Sequence, residues 1–277
     1  MIQNYKFGLF RTLWILREYL SEIVLGGGWV PFIYYHYLLK NKSIDPVRTF
    51  DIDLLVNTRI PVLGSKTIDE LLLEAGLKSA FKTISTPPII HYEGKIQDYE
   101  VEIEFLTDQR GSSEDIVVEV QKGLHAEALR YISVATENII KIEIDDFVTE
   151  DGIQKIEVQI PSPAAYIFHK GLVFRKRREE VKKAKDLYYI FNILLHCEEI
   201  RTEINAGLNE LRNKYPTWFN RFERNLDEYF SGVESDGVKF VSDQRIATDL
   251  LNLDENQFSW YVYTTFRELI GMFDKSR

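Results

Sequence analysis

Apolar residues recur every three or four positions at Leu9, Leu13, Leu16 and Leu20, which predicts an amphipathic helix over Phe7–Leu20. Ile23–Leu25 is a short apolar run that predicts a strand ending at Gly26, Gly27 and Gly28. Val30–Lys40 predicts a helix with Pro31 near its start, where proline is tolerated. The polar stretch Asn41–Arg48, with Pro46, predicts a loop. Phe50–Val56 then alternates, with Phe50, Ile52, Leu54 and Val56 on one face and Asp51, Asp53 and Leu55 on the other. Thr67–Gly76 predicts a helix, opened by a Thr67–Glu70 capping box and ended at Gly76. Ile89–His91 and Asp98–Leu106 predict two strands around a Glu93–Gly94–Lys95 hairpin. Val117–Val120, Ile139–Ile144 and Ile153–Ile160 all read as extended.

The pattern changes after Pro161 and Pro163. Helical spacing dominates over Ala164–Phe174, Glu179–His196, Glu198–Lys214, Thr217–Phe230, Ser242–Leu251 and Asn256–Phe273, with turns near Gly232 and Gly237. Two domains are therefore expected, a mixed α and β part over residues 1–160 and a helical part over 161–277. A cleft between them is the expected ligand site.

Composition narrows this picture. The chain is 45% hydrophobic and 28% charged, enough apolar content for a full core. No apolar run is long enough to cross a membrane. Arg11, Arg17 and Glu18 interrupt the first helix, which reads as part of the fold rather than a signal peptide. A single cysteine, Cys197, excludes an internal disulfide, reads as a packing residue and fits a reducing, cytoplasmic setting. The net charge of −9 argues against indiscriminate nucleic-acid binding.

The candidate chemistry gathers at Ile23–Val56. Glycines at a strand end let a backbone approach an anion, and Asp51 and Asp53 alternate onto one strand face where they can share a divalent cation. A third carboxylate is sought on Tyr99–Leu106, where Glu100, Glu102 and Glu104 share a face; Glu104 is favoured and Glu102 is second. A solvated outer face is the competing reading for both acidic strands, and a tight turn for the glycines. The basic segment Phe168–Asp186 holds Lys170, Arg175, Lys176, Arg177, Arg178, Lys182, Lys183 and Lys185, with Arg178, Lys182 and Lys185 on one helical face. It suits a triphosphate or an RNA backbone, or a solvated face paired with Glu179 and Glu180. The five histidines lack metal-ligand spacing and read as packing or surface residues.

Leu25–Trp29 with Arg48–Val56 (LGGGW and RTFDIDLLV) resembles the opening motif of the minimal nucleotidyltransferase superfamily, with its polymerase-beta-like fold. It is similar in particular to AbiE-type toxins and related bacterial nucleotidyltransferases. Lys170 and Lys185–Asp186 match the order of that group's later motifs, and Tyr189 stands where a second acid is frequent. The resemblance implies an α+β fold, a nucleotidyltransferase-type mixed sheet with flanking helices followed by an α-helical domain. It implies that Gly27, Gly28, Lys170 and Lys185 hold the phosphates of an NTP. Asp51, Asp53 and Glu104 would bind Mg2+ (or Mn2+) and carry catalysis. The implied reaction moves an NMP onto a hydroxyl of RNA, tRNA, a protein or a small molecule, and an antitoxin is an implied partner. An inactive binding module of the same fold is the alternative.

Overall fold

The computed structural model describes residues 5–44, 49–81, 90–109, 116–149, 152–245 and 252–274. Chain contacts divide it into two compact units, Met1–Lys40 with Arg48–Ser162 and Asn41–Val47 with Pro163–Arg277.

The first unit is built from α1 (Tyr5–Ile15), β1 (Ile23–Leu25), α2 (Trp29–Ile33), β2 (Asp51–Val56), α3 (Ile68–Glu74), β3 (Lys78–Phe81), β4 (Ile90–Ile96), β5 (Tyr99–Asp108), β6 (Ile116–Gln121), β7 (Leu124–Leu129), α4 (Ile132–Glu137), β8 (Ile139–Thr149) and β9 (Gly152–Pro161). Among the described residues the strands form one nine-stranded mixed sheet in the order β3-β4-β5-β2-β1-β9-β8, with β7 pairing the far end of β5 and β6 pairing β7. Its centre is the parallel pair β2 and β5.

Alternation buries one face of that pair, through Ile52 and Leu54 on β2 and Val101, Ile103 and Phe105 on β5. Helix α1 packs there, brought close by Gly8, where an added Cβ would lie 2.8 Å from Val101. On the opposite face α4 covers Leu55, with Ile132 and Ala135 packed against it. Leu55 shares its face with Asp51 and Asp53, so α4 covers the apolar end of that face and the acidic end lies beyond it. Gln159 on β9 donates from Nε2 to the carbonyls of Leu20, Ser21 and Ile23 at 2.9, 2.8 and 3.3 Å, tying the turn before β1 to the sheet. The Thr67–Glu70 capping box forms at the start of α3 in both directions, at 3.2 and 2.8 Å.

Several sequence expectations are corrected. The β4–β5 hairpin does not turn at Glu93–Gly94–Lys95. Ile96 pairs with Tyr99, so the turn is Gln97–Asp98, with Gln97 at φ 57. Tyr92, Gly94 and Ile96 share one strand face, and Gly94 continues it as a position without a side chain. Phe50 is 72% exposed and precedes β2 rather than completing its apolar face. Ile89 and Arg48 lie outside the described residues.

The second unit is helical: α5 (Pro163–Val173), α6 (Glu180–His196), α7 (Arg201–Lys214), α8 (Pro216–Tyr229), α9 (Asp236–Asp243) and α10 (Glu255–Asp274). Phe168 meets Phe219 and Phe222, both at 5.3 Å between ring centres, and Phe230 stacks on Phe266. Of the helix expected over Ser242–Leu251, only residues 242–245 are described, and they hold the end of a helix that starts earlier. The helix is α9, carried by buried Val238 and Val241, and Gly237 lies in its first turn rather than in a loop. Residues 246–251 lie outside the described residues. No helix among the described residues is long and apolar enough to cross a membrane.

Candidate active site

The antiparallel register of β1 on β2 pairs Leu25 with Leu54, which brings the glycines directly onto Asp53. The Gly26 N–H donates to the Asp53 carbonyl at 2.8 Å. Gly27 has φ +62, and a Cβ there would run into the Asp53 carboxylate. Two separate constraints thus call for glycine at 27, the left-handed backbone and the carboxylate lying against it. Gly28 has φ −76 and leads into α2 without a side-chain cap.

The acidic strands meet in register. In the parallel pair β2–β5, Asp51 stands opposite Glu102 and Asp53 opposite Glu104. Partners in register project to the same sheet face, so the four carboxylates make two adjacent rows. The rows continue onto β4, where Glu93 faces Glu102 and His91 faces Glu104. Exposure falls along and across them. Asp51 is exposed, Asp53 and Glu102 are half-buried, and Glu104 and His91 are 8% and 7% exposed. Glu100 falls in the next row out, exposed, with Lys95 at 3.7 Å. Among the described residues no three His, Cys, Asp or Glu side chains are already drawn together as a metal cage.

His91 was not legible as part of this face. Its Nε2 lies 3.2 Å from the Glu93 carboxylate, and its Nδ1 is buried without a hydrogen-bond partner. The sequence signal that would have found it is the alternation running on through Gly94, which puts His91 and Glu93 on the acidic side of β4.

The basic segment lies in the second unit and is organised around Asp186. Lys170 is buried, and its Nζ donates to Asp186 Oδ1 at 2.6 Å; Arg177 Nε donates to Oδ2 at 2.9 Å. Burial pushes the Asp186 carboxyl up, but Lys170 and Arg177 outweigh it and hold it below the usual carboxylate range. The Lys170 ammonium also sits over the rings of Tyr166 and Tyr189 at 5.5 and 5.3 Å, and Lys185 lies 5.8 Å from the Tyr189 ring. The neighbouring His169 is held neutral by burial and by Lys170, its pKa lowered to about 3. The expected common face of Arg178, Lys182 and Lys185 does not form. The chain leaves helical geometry at Arg177, ψ 130, and α6 begins at Glu180, so Arg178 stands outside the helix that carries the two lysines. Arg175 pairs with Glu228 and Lys182 with Glu179, which occupies two further cations of the segment. Cys197 is buried and its thiol is pushed up to about 12 by burial, as suits a packing residue.

Compared with known proteins, the chain matches a nucleotidyltransferase family model over residues 18–203. It belongs to that nucleotidyltransferase family. The matched span contains the glycine turn, both acidic strands and the Lys170–Asp186 cluster. It ends inside α7, so α8, α9 and α10 lie outside the family pattern. No curated protein matches in sequence. Among solved structures, an antigenic nucleotidyltransferase-like protein from Paracoccidioides brasiliensis is similar at 15% identity and a TM-score of 0.38, over 79% of this chain and 93% of that one.

Proposed function

We propose that the protein transfers an NMP from an NTP to a hydroxyl acceptor and releases pyrophosphate. The observation that carries this is the register placing Asp51 and Asp53 opposite Glu102 and Glu104 on one sheet face, with Gly26 and Gly27 against Asp53. Carboxylate oxygens are the donors a hard divalent cation prefers, and Asp51, Asp53 and Glu104 would hold Mg2+ (or Mn2+), with Glu102 beside them. When bound, the cation supplies charge neutralisation at the phosphates and activates the attacking hydroxyl. The Gly26 N–H donates to the Asp53 carbonyl, and the lack of a side chain at Gly27 leaves room for the Asp53 carboxylate. The backbones of Gly27 and Gly28 give an NTP phosphate room to approach β2, since a side chain at 27 would fill the space beside Asp53. Lys185 is the residue we assign to the triphosphate. Lys170, expected in the same role, is bonded to Asp186 and acts by holding that carboxylate and the ring of Tyr189.

RNA or tRNA, a protein side chain and a small molecule are the acceptor classes, and an AbiE-like toxin paired with an antitoxin is the biological setting this reading favours. Incubation with α-phosphate-labelled NTP, Mg2+ and total RNA or protein should label one acceptor class. Asp51→Ala and Asp53→Ala should each lower transfer about 100-fold or more with the fold intact. Full activity in either variant would remove that residue from the site. The second reading is a nucleotide- or partner-binding module without transfer, in which Lys170 is engaged by Asp186 instead of by a triphosphate. NTP binding with no label in any acceptor selects it.

A further inference from the structure

We propose that the cavity where β2 and β5 begin is a binding site for a small organic cation, an amine or a quaternary ammonium. The proposal goes beyond the transfer reading and uses none of the residues assigned to it.

The cavity has a volume of about 330 Å3, which suits a small molecule, and its lining comes wholly from the first unit. Buried Ile52 and Val101 line it from the sheet. Both lie on the face opposite Asp51 and Asp53, so the cavity stands on the α1 side, away from the carboxylate rows.

Three aromatic rings line it, from Trp29 of α2, Phe50 just before β2 and Tyr99 at the start of β5. They are unequally covered. Trp29 is buried, and Tyr99 is half-buried and stacked on Phe7 at 5.5 Å between ring centres, whereas Phe50 is largely exposed. A single apolar side chain in water is ordinary on a protein surface. This one stands at the mouth of a hollow that already holds two rings, so a guest there meets three.

Charge decides the class of guest. Asp98, Glu100 and Lys95 also line the cavity. Lys95 lies 3.7 Å from Glu100, and Asp98 has no ion-pair partner among the described residues, so one carboxylate is left over. The faces of aromatic rings carry negative potential and attract cations, and an unpaired carboxylate does the same. Both oppose a phosphate. A compact cation is therefore favoured over a nucleotide or an RNA backbone.

The test uses the full chain, with choline and its uncharged isostere 3,3-dimethyl-1-butanol as probes, in an NMR titration read at the backbone amides of Phe50 and Tyr99–Val101. Choline should shift these amides saturably and bind about fivefold or more tightly than the isostere. Phe50→Ala and Asp98→Asn should each weaken choline about fivefold or more. Both positions are exposed, and asparagine suits the Gln97–Asp98 turn, so neither variant puts the fold at risk. Equal affinity for the two probes overturns the cation assignment, as does tighter binding of adenosine at the same amides. Choline affinity unchanged in Phe50→Ala overturns the cavity as the site. None of these outcomes touches Asp51 or Asp53, and a failed transfer assay leaves this site standing.

Discussion

The Asp53 carbonyl accepts from the Gly26 N–H, and its carboxylate occupies the space a Cβ on Gly27 would need. Gly27→Ala should therefore cost about 1–2 kcal/mol from the left-handed backbone alone and also push Asp53 out of its row. Urea unfolding would read the first effect, and a weakened cation affinity the second. Lys170 makes a different kind of contribution. Lys170→Met removes one partner from a buried pair and leaves Asp186 with a single, partly exposed arginine. The expected destabilisation is about 3 kcal/mol or more by denaturant titration, and Lys170→Met with Asp186→Leu should recover a large part of it. These residues were unequally legible. Asp51 and Asp53 are visible in sequence because strand alternation is local. Which glutamate faces which aspartate is a matter of register between strands far apart in the chain, and nothing local encodes it. His91 was missed for a local reason, since reading Glu93–Gly94–Lys95 as the turn cut short the alternation that places it on that face.

At the scale of elements, segments with a marked local pattern were readable, including the three-residue β1, and those without one were not. The capping box of α3 is written in four adjacent residues, and Thr67→Ala should cost about 1 kcal/mol, measurable as a lowered melting temperature. The strand β7, LHAEAL, has alanines where a strand usually carries branched residues, so its pattern is silent, and α4 is only six residues long. Helix α5 was legible, yet one of its residues has a role no periodicity reveals. Gly171 lets the Phe222 ring of α8 lie against the helix, and an added Cβ would overlap that ring. The basic segment shows the opposite failure. Its charges were plain, but the break at Arg177 follows from the Asp186 contact, which lies outside any local window.

At the scale of the whole molecule, the two units should respond differently to acid. His169 has a folded pKa of about 3, well below its ordinary value near 6.5. Between those values the unfolded chain binds a proton that the folded chain refuses. Its contribution is therefore complete above pH about 6.5, and stability falls by up to about 1.4 kcal/mol for each pH unit below it. Asp186 adds a second loss at lower pH, as conditions fall through the usual carboxylate range toward its depressed folded value. Both groups belong to the second unit. Hydrogen exchange followed by mass spectrometry should show protection in α5 and α6 falling between pH 7 and pH 5, and His169→Gln should flatten that dependence. The change from a mixed sheet to a helical C-terminal region was legible from the loss of strand signal after Pro161. The membership of Asn41–Val47 in the second unit was not, since it is a property of packing rather than of pattern.

The in-register pairing of β5 on β2 sets a parity rule for the length of the chain. The carboxylates on each strand sit two residues apart, Asp51 and Asp53 on β2 and Glu102 and Glu104 on β5, with a core residue, Ile52 or Ile103, between them. A one-residue deletion between Gln97 and Glu102 would leave the strand paired but reverse its faces, sending Glu102 and Glu104 into the core and Val101, Ile103 and Phe105 into water. A two-residue deletion would shift the rows and keep the faces. Expression and folding of such deletion variants should thus alternate with the number of residues removed, and sequences descended from this one should vary here in steps of two.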